Sequence, residues 1–327
     1  MRTFVTGAAG FIGSTLVDRL LADGHQVIGL DNLSTGCAEN LRSACLQYGP
    51  VGLFKFIRGD VLAPELANIV AANSPDAVFH LAAQADLQAS VADPQRDARI
   101  NVIGTINILE ACRRSDVRKF IYAASGGSRY GAPQVLPVTE ANPVAPLSPY
   151  AVAKVAGELY AGAYAEMYGL KPVSLGLANV YGPRQNPLGE AGVIAIFCHA
   201  LVNKLETTIY GDGASTRDYV FVDDVVDAFV RAATTDREIT GLFNVGTGIQ
   251  TTVNEVHQLT TEATDGASPP RYAAARSGEV RAIALDNSRC REEFGWQPAV
   301  SLSEGIARTI AWLRSNLCDQ PSALQAL

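Results

Sequence analysis

Three closely spaced glycines near the N-terminus limit what this chain can fold into more than any other feature. Phe4-Val5-Thr6 reads as a short buried strand, and Gly7, Gly10 and Gly13 follow it with G-x-x-G-x-x-G spacing. An apolar stripe of Leu16, Val17, Leu20 and Leu21 then predicts a helix over 14–22, stopped by Asp23-Gly24. Glycine reaches positive φ and lets one backbone approach another group closely. The free N–H groups and positive dipole end of the following helix suit a pyrophosphate. The next predicted strand, 26–30, ends at Asp31. Strand, glycine turn, helix, strand and acid make the opening of a mononucleotide-binding unit. On this segment alone, a ligand-free turn and an ordinary turn acid remain the plain alternatives.

A carboxylate at Asp31 can accept hydrogen bonds from an adenosine ribose and repels a 2′-phosphate, which favours NAD over NADP. Gly7, Gly10, Phe11, Ile12, Gly13, Asp31 and Asn32 are therefore the first cofactor candidates. Asp60 and Val61, at the end of a third strand, are placed to bracket the adenine; a solvated loop acid is the alternative for Asp60. Leu81, Ala82 and Ala83, followed by Gln84, come after another strand, where backbone runs close to a cofactor.

The alternation continues. Strands are predicted over 53–57, 76–81, 119–123 and 172–177. Helices are predicted over 64–72, 96–113 and from Ser148-Pro149-Tyr150 to about Tyr168, with Ser148 as cap and Gly169 as stop. Strands alternating with long helices imply an α/β fold: a Rossmann-type, doubly wound, mainly parallel sheet covered on both faces. Beyond residue 180 the pattern is irregular. Loops are expected at 186–192, 211–216 and 267–275, a strand–helix return at 219–230, a strand at 243–245, and helices near 253–263 and 302–313. The expected organisation is a nucleotide domain over 1–180, with segments near 211–250 returning to it. Residues 181–327 would form mostly a smaller C-terminal α/β substrate-binding domain. The cleft between them is the default site.

Composition excludes several partner classes. A net charge of −7 provides no general attraction for nucleic acid or an anionic membrane. No apolar stretch of about 20 residues suggests a membrane span, and no signal-peptide pattern opens the chain. Six cysteines without a C-x-x-C pair suggest reduced thiols in a cytoplasmic setting. Four scattered histidines show no metal-ligand spacing, so no metal is expected.

Tyr150 and Lys154 lie four apart on one helix and share a face. A phenol, with pKa about 10, is too weak a base at neutral pH. A nearby ammonium stabilises the phenolate and lowers that value. The pair can remove a hydroxyl proton while hydride leaves the same carbon for NAD. Y-x-x-x-K alone is common by chance; its place after a nucleotide-binding unit gives it weight.

Together the segments Thr6–Gly13, Asp31-Asn32, Gly59-Asp60, His80–Gln84, Asn101–Thr105, Tyr150-x-x-x-Lys154, Asn179–Arg184 and Arg217–Asp224 resemble the extended short-chain dehydrogenase/reductase superfamily. Within it, the chain is similar to the bacterial UDP-glucose 4-epimerase family over nearly its whole length. The resemblance implies Tyr150 as base, Lys154 as its partner and as a cofactor contact, and Asn101 in a supporting helix. It implies Asn179 at the substrate diphosphate or its ribose, and Arg217 and Arg276 as phosphate clamps. An ion pair with Asp218 is the alternative for Arg217.

One departure stands out. The family carries Ser or Thr where this chain has Gly126, inside Ser125-Gly126-Gly127-Ser128-Arg129-Tyr130. The sugar-facing hydroxyl then falls to Ser125, with Ser128 in reserve, unless both serines only cap the turn. Related 4,6-dehydratases place Asp-Glu where Gly127-Ser128 stand, and decarboxylases keep Glu at Ser128. Neither acid is present, so the resemblance implies reversible 4-epimerisation of UDP-glucose and UDP-galactose through a 4-keto intermediate. Ile283 takes the place of a bulkier sugar-pocket residue, which leaves N-acetylated sugars open. UDP-glucuronate would need an extra donor, for which Arg184 and Arg129 are the candidates. The resemblance also implies a homodimer through the Asn101 and Tyr150 helices, with Ile103, Ile106 and Leu109 compatible with either that contact or the core. A non-catalytic NAD-sensing protein is the other class, and retention of both Tyr150 and Lys154 argues against it.

Overall fold

The computed structural model describes residues 1–187, 192–264, 269–275 and 280–317. Seven strands form one sheet: β1 (Arg2–Thr6), β2 (Gln26–Asp31), β3 (Phe54–Arg58), β4 (Ala77–His80), β5 (Lys119–Ser125), β6 (Lys171–Leu177) and β7 (Gly241–Val245). Their order is β7-β6-β5-β4-β1-β2-β3, and every pairing is parallel. The order reverses between β1 and β4, so a crevice opens there beyond the C-terminal strand ends.

Neighbouring residues on each strand serve opposite faces, because side chains alternate along a strand. Val5, Phe79 and Ile121 pack with Leu16, Val17 and Leu20 of the Phe11–Ala22 helix and with Phe229 of the Val222–Thr234 helix. Phe4, Val78, Phe120 and Tyr122 pack on the other face with Val70, Ile108, Leu109 and Tyr164. Burial on both faces explains why these strands are continuously apolar.

Three helices, Val193–Val202, Val253–Thr264 and Leu302–Leu317, pack on one another beyond the sheet. Their Ile194, Phe197, Val256, Ile306 and Ile310 belong to the same apolar cluster as Phe79 and Phe229. The smaller C-terminal subdomain thus shares a core with the Rossmann-type sheet. Val222–Thr234 packs against Phe11–Ala22, and Gly241–Val245 pairs with β6.

Several elements differ from the sequence reading. The first helix starts at Phe11, one residue after Gly10. The run expected over 96–113 begins at Pro94, capped by Asp93, and contains a π-helical segment at Arg99–Ile103. Such widened turns frequently sit at functional sites. Val193–Val202 was hidden because it is apolar all round and shows no amphipathic period. Arg271–Ala273, inside an expected loop, is a strand paired with Thr208–Tyr210. Among the described residues no helix is long and apolar enough to cross a membrane, and no group of metal-binding side chains occurs.

Candidate active site

Ser148 Oγ accepts a hydrogen bond from the Ala151 N–H, and Pro149 occupies the first turn of the Pro149–Tyr168 helix. This cap fixes where the helix starts, and so places Tyr150 in its first turn and Lys154 one turn later. Gly157, on the next turn, lets the helix lie close on β5: a Cβ there would stand 2.5 Å from the Tyr122 hydroxyl. Lys154 is buried. Its Nζ donates to the Ala123 carbonyl at 2.9 Å and lies 5.0 Å from the centre of the Tyr122 ring. Tyr122 in turn stacks on His80, which bridges the Thr6 and Thr105 hydroxyls. Burial, helped by the Lys154 charge, pushes His80 down to about 3, so it is a neutral strut.

Burial lowers Lys154 to about 8, with the negative charge of Asp97 opposing the fall. Burial raises the Tyr150 phenol to about 12; a hydrogen bond with Ser125 pulls it down, and Asp97 pushes it up. The expectation that Lys154 draws the phenol below its ordinary value is therefore reversed in the chain itself. Desolvation of the phenolate dominates, and the ammonium is directed at the Ala123 carbonyl and the Tyr122 ring.

The missing hydroxyl at residue 126 has a steric cause. A Cβ on Gly126 would stand 2.7 Å from the Gly176 carbonyl oxygen and 2.5 Å from Leu285 Cδ1. The Ser125 hydroxyl is instead the group that lowers the Tyr150 phenol, and it accepts from Ser128 Oγ at 2.8 Å. Ser125 precedes the short Gly126–Arg129 helix but makes no side-chain cap bond.

On the cofactor edge, Gly7 has φ +70°, and a Cβ there would stand 2.7 Å from the Ala82 N. A Cβ on Gly13 would stand 2.0 Å from the Gly7 carbonyl oxygen. Gly10 opens the Phe11–Ala22 helix with no side-chain cap. The cradle that a Cβ would fill fits a dinucleotide, and Phe11 and Ile12 open the helix that follows it and pack against the core. Asp31 is buried at the end of β2 and accepts from the N–H groups of Ala9 and Leu33. Asn32 donates to Asp60, which also accepts from the Leu62 N–H. Val61 is buried, and its carbonyl accepts from Asn107. Leu81, Ala82 and Ala83 run beside Gly7, with the Leu81 and Ala82 N–H groups both near Thr6 Oγ1. Gln84 turns its carboxamide inward, to Asp86 and Asp97.

On the substrate side, Asn179 is half-buried, and its Oδ1 lies 3.7 Å from the place of a Gly127 Cβ. Arg217 is half-buried and donates to the Thr216 carbonyl. It is not paired with Asp218: that buried carboxylate accepts from Thr247, Gly248 and Leu285. Tyr219, next to Arg217, has a buried hydroxyl with no partner among the described residues. Sequence reading passed over it, because Tyr-Val-Phe-Val reads simply as a buried strand. Arg184 pairs with Asp18 at 2.6 Å, and the buried Arg129 pairs with Glu158 at 3.3 Å. Ile283 is buried with Tyr130, Val138 and Leu285. Arg276 lies outside the described residues.

A family model for the NAD dependent epimerase/dehydratase family matches residues 3–246. The chain is similar to a UDP-glucose 4-epimerase of Mycolicibacterium smegmatis, 52% identical over 317 residues that cover 96% of this chain and 99% of that one. It is also similar to the crystal structure of a Thermotoga maritima UDP-glucose 4-epimerase with UDP-glucose: TM-score 0.92, 43% identity, covering 97% of this chain and 100% of that one. A Thermus thermophilus UDP-glucose 4-epimerase in complex with NAD gives a TM-score of 0.88 and 41% identity, covering 96% and 99%.

The crowding at Gly126 makes a testable statement. Gly126→Ser is expected to cost about 2 kcal/mol of stability by overpacking, read as a lower urea midpoint with unchanged slope. A midpoint at or above that of the parent protein would show that the site has room for the hydroxyl.

Proposed function

The chain belongs to the NAD dependent epimerase/dehydratase family, and from that premise we propose how its residues interconvert UDP-glucose and UDP-galactose. It is an NAD-dependent UDP-sugar 4-epimerase that works through a 4-keto intermediate. The observation that carries the assignment of roles is buried Lys154 one helical turn after Tyr150, its Nζ held by the Ala123 carbonyl at the end of β5 where Ser125 acts on the phenol.

Gly7, Gly10, Phe11, Ile12 and Gly13 would hold the pyrophosphate of NAD, Asp31 and Asn32 its adenosine ribose, Asp60 and Val61 its adenine, and Leu81–Gln84 the stretch between. Bound NAD supplies a hydride acceptor at C4 of the sugar and then a donor, together with a positive charge that favours the phenolate. Tyr150 takes the 4-hydroxyl proton and later returns it to the same oxygen, once hydride has come back to the opposite face of C4. Ser125 holds the sugar oxygen and steadies the phenolate, Ser128 orients Ser125, and Lys154 adds its charge and reaches toward the nicotinamide ribose. Between the two transfers the 4-keto sugar turns over. That requires a firm grip on UDP, from Asn179, Arg217 and Arg276, and a loose one on the sugar.

Two observations support a neutral hexose and a simple epimerisation. Arg129 and Arg184, the candidate donors to a uronate carboxylate, are each held through Nη2 by an acid of the protein, Glu158 and Asp18, while Nη1 of each has no partner among the described residues. Gly127 and Ser128 offer no acid to eliminate water. Arg217, Arg276 and Ile283 belong to 181–327, which we take as the substrate-binding part, with 1–180 as the NAD-binding part. The exposed thiols of Cys37 and Cys45 support a reducing, cytoplasmic setting, and the acidic balance supports no role for nucleic acid.

We also propose a homodimer. Ile103, Val152, Leu159 and Met167 are exposed apolar side chains on the Asn101 and Tyr150 helices. Leu109, by contrast, is fully buried in the core and takes no part.

A UDP-sugar panel without added reductant tests the function. UDP-glucose and UDP-galactose are expected to interconvert, and Tyr150→Phe to lower turnover by about 10²–10⁴-fold. Normal turnover in Tyr150→Phe would overturn the assignment, and faster conversion of UDP-N-acetylglucosamine or UDP-glucuronate would move the substrate. Sedimentation tests the dimer: Leu159→Asp is expected to give a monomer, and an unchanged mass would place the contact elsewhere.

A further inference from the structure

Among the described residues, one buried carboxylate oxygen has no hydrogen-bond partner: Asp97 Oδ2. Asp97 is 1% exposed, in the short Pro94–Ala98 helix that packs against the Tyr150 helix. Its other oxygen, Oδ1, accepts from Gln84 Nε2 at 3.0 Å and from Asn101 Nδ2 at 2.9 Å. Asn101 Oδ1 accepts the Gln84 N–H, and Asn101 Nδ2 also donates to the Gln84 carbonyl. A carboxylate buried with half its acceptor capacity unmet is costly unless a nearby charge offsets it. Two neutral amides do not supply that charge.

The groups facing it identify what does. The helix beside it contributes Tyr150, Lys154 and, further along, Glu158. Strand β5 contributes Tyr122, and β4 contributes His80, which is neutral between two threonines. Asp86 and Asp93 cap the Ala89 and Arg96 N–H groups, and Arg96 and Arg99 are exposed. Lys154 is the buried cation of this set, and the charges of Asp97 and Lys154 act on each other through space.

We propose that Asp97 is a positioning residue whose buried negative charge keeps Lys154 an ammonium and sets the proton affinity of Tyr150, while its Oδ1 holds Asn101 and Gln84 in register behind the pair. This rests on the reading of Tyr150 and Lys154 as the reacting pair. Removal of the anion destabilises the Lys154 cation and relieves repulsion of the Tyr150 phenolate. Both groups then release their protons at lower pH.

The test compares NAD-loaded parent enzyme with Asp97→Asn, which keeps the shape, and Asp97→Glu, which keeps the charge. In Asp97→Asn both limbs of the kcat–pH profile are expected to move to lower pH by about one unit, while Asp97→Glu leaves the limbs in place and lowers kcat. Should Asp97→Asn be inactive, NMR of 13Cζ-tyrosine, with Tyr150 assigned by Tyr150→Phe, follows the phenol directly in the cofactor-free protein, with the same downward shift expected. If Asp97→Asn does not fold, Asp97→Ser carries the same expectation. Unmoved limbs and an unmoved phenol titration in a folded neutral variant would overturn the role of Asp97 and leave the Tyr150 reading intact. Full activity in Tyr150→Phe would overturn that reading instead.

Discussion

A buried ammonium organises this molecule. Lys154 lies inside the fold with the Ala123 carbonyl accepting from it and the Tyr122 ring beneath it. Taking such a charge from water is unfavourable, and the surroundings must offset the cost. The arrangement that does so runs through several strands. β5 turns its last carbonyls toward the site, Tyr122 stacks on His80, and His80 ties β4 to Thr6 of β1 and to Thr105. The same residues lie behind the point where the sheet order reverses, so the catalytic pair and the cofactor crevice share one foundation.

That foundation also accounts for the state of Tyr150. In the chain alone the phenol is a weaker acid than free tyrosine and holds its proton more tightly, because burial opposes the phenolate charge more than Ser125 relieves it. The site therefore holds its proton until a further positive charge arrives. An oxidised dinucleotide in place would bring that charge beside the phenol together with the acceptor for the C4 hydride. Reversible hydride exchange needs that coupling, because the sugar must not be deprotonated without an acceptor at C4.

Much of this was legible in the sequence because it depends on local rules. Gly7 and Gly13 mark close backbone approaches, Asp31 ends a strand, and Ser148-Pro149 starts the helix that carries Tyr150 and Lys154. What stayed hidden depends on residues distant in the chain. Gly126 is a glycine because Gly176 and Leu285 fill the space beside it. Val193–Val202 has no polar face to give a period. Tyr219 looks like any strand residue until its buried hydroxyl is seen without a partner among the described residues. Asp97 could have been noticed, since it lies four residues before Asn101 and such pairs face each other on a helix. Its burial beside the helix that carries Lys154 could not.

The central claim is that hydride leaves C4 and returns to the same carbon. UDP-glucose carrying deuterium at C4, converted in ordinary water and followed by NMR and mass spectrometry of the UDP-galactose formed, tests it most directly. The account predicts that deuterium stays at C4 in the inverted product. Loss of the label to solvent would mean that a proton, not a hydride, is removed from carbon, and would contradict it.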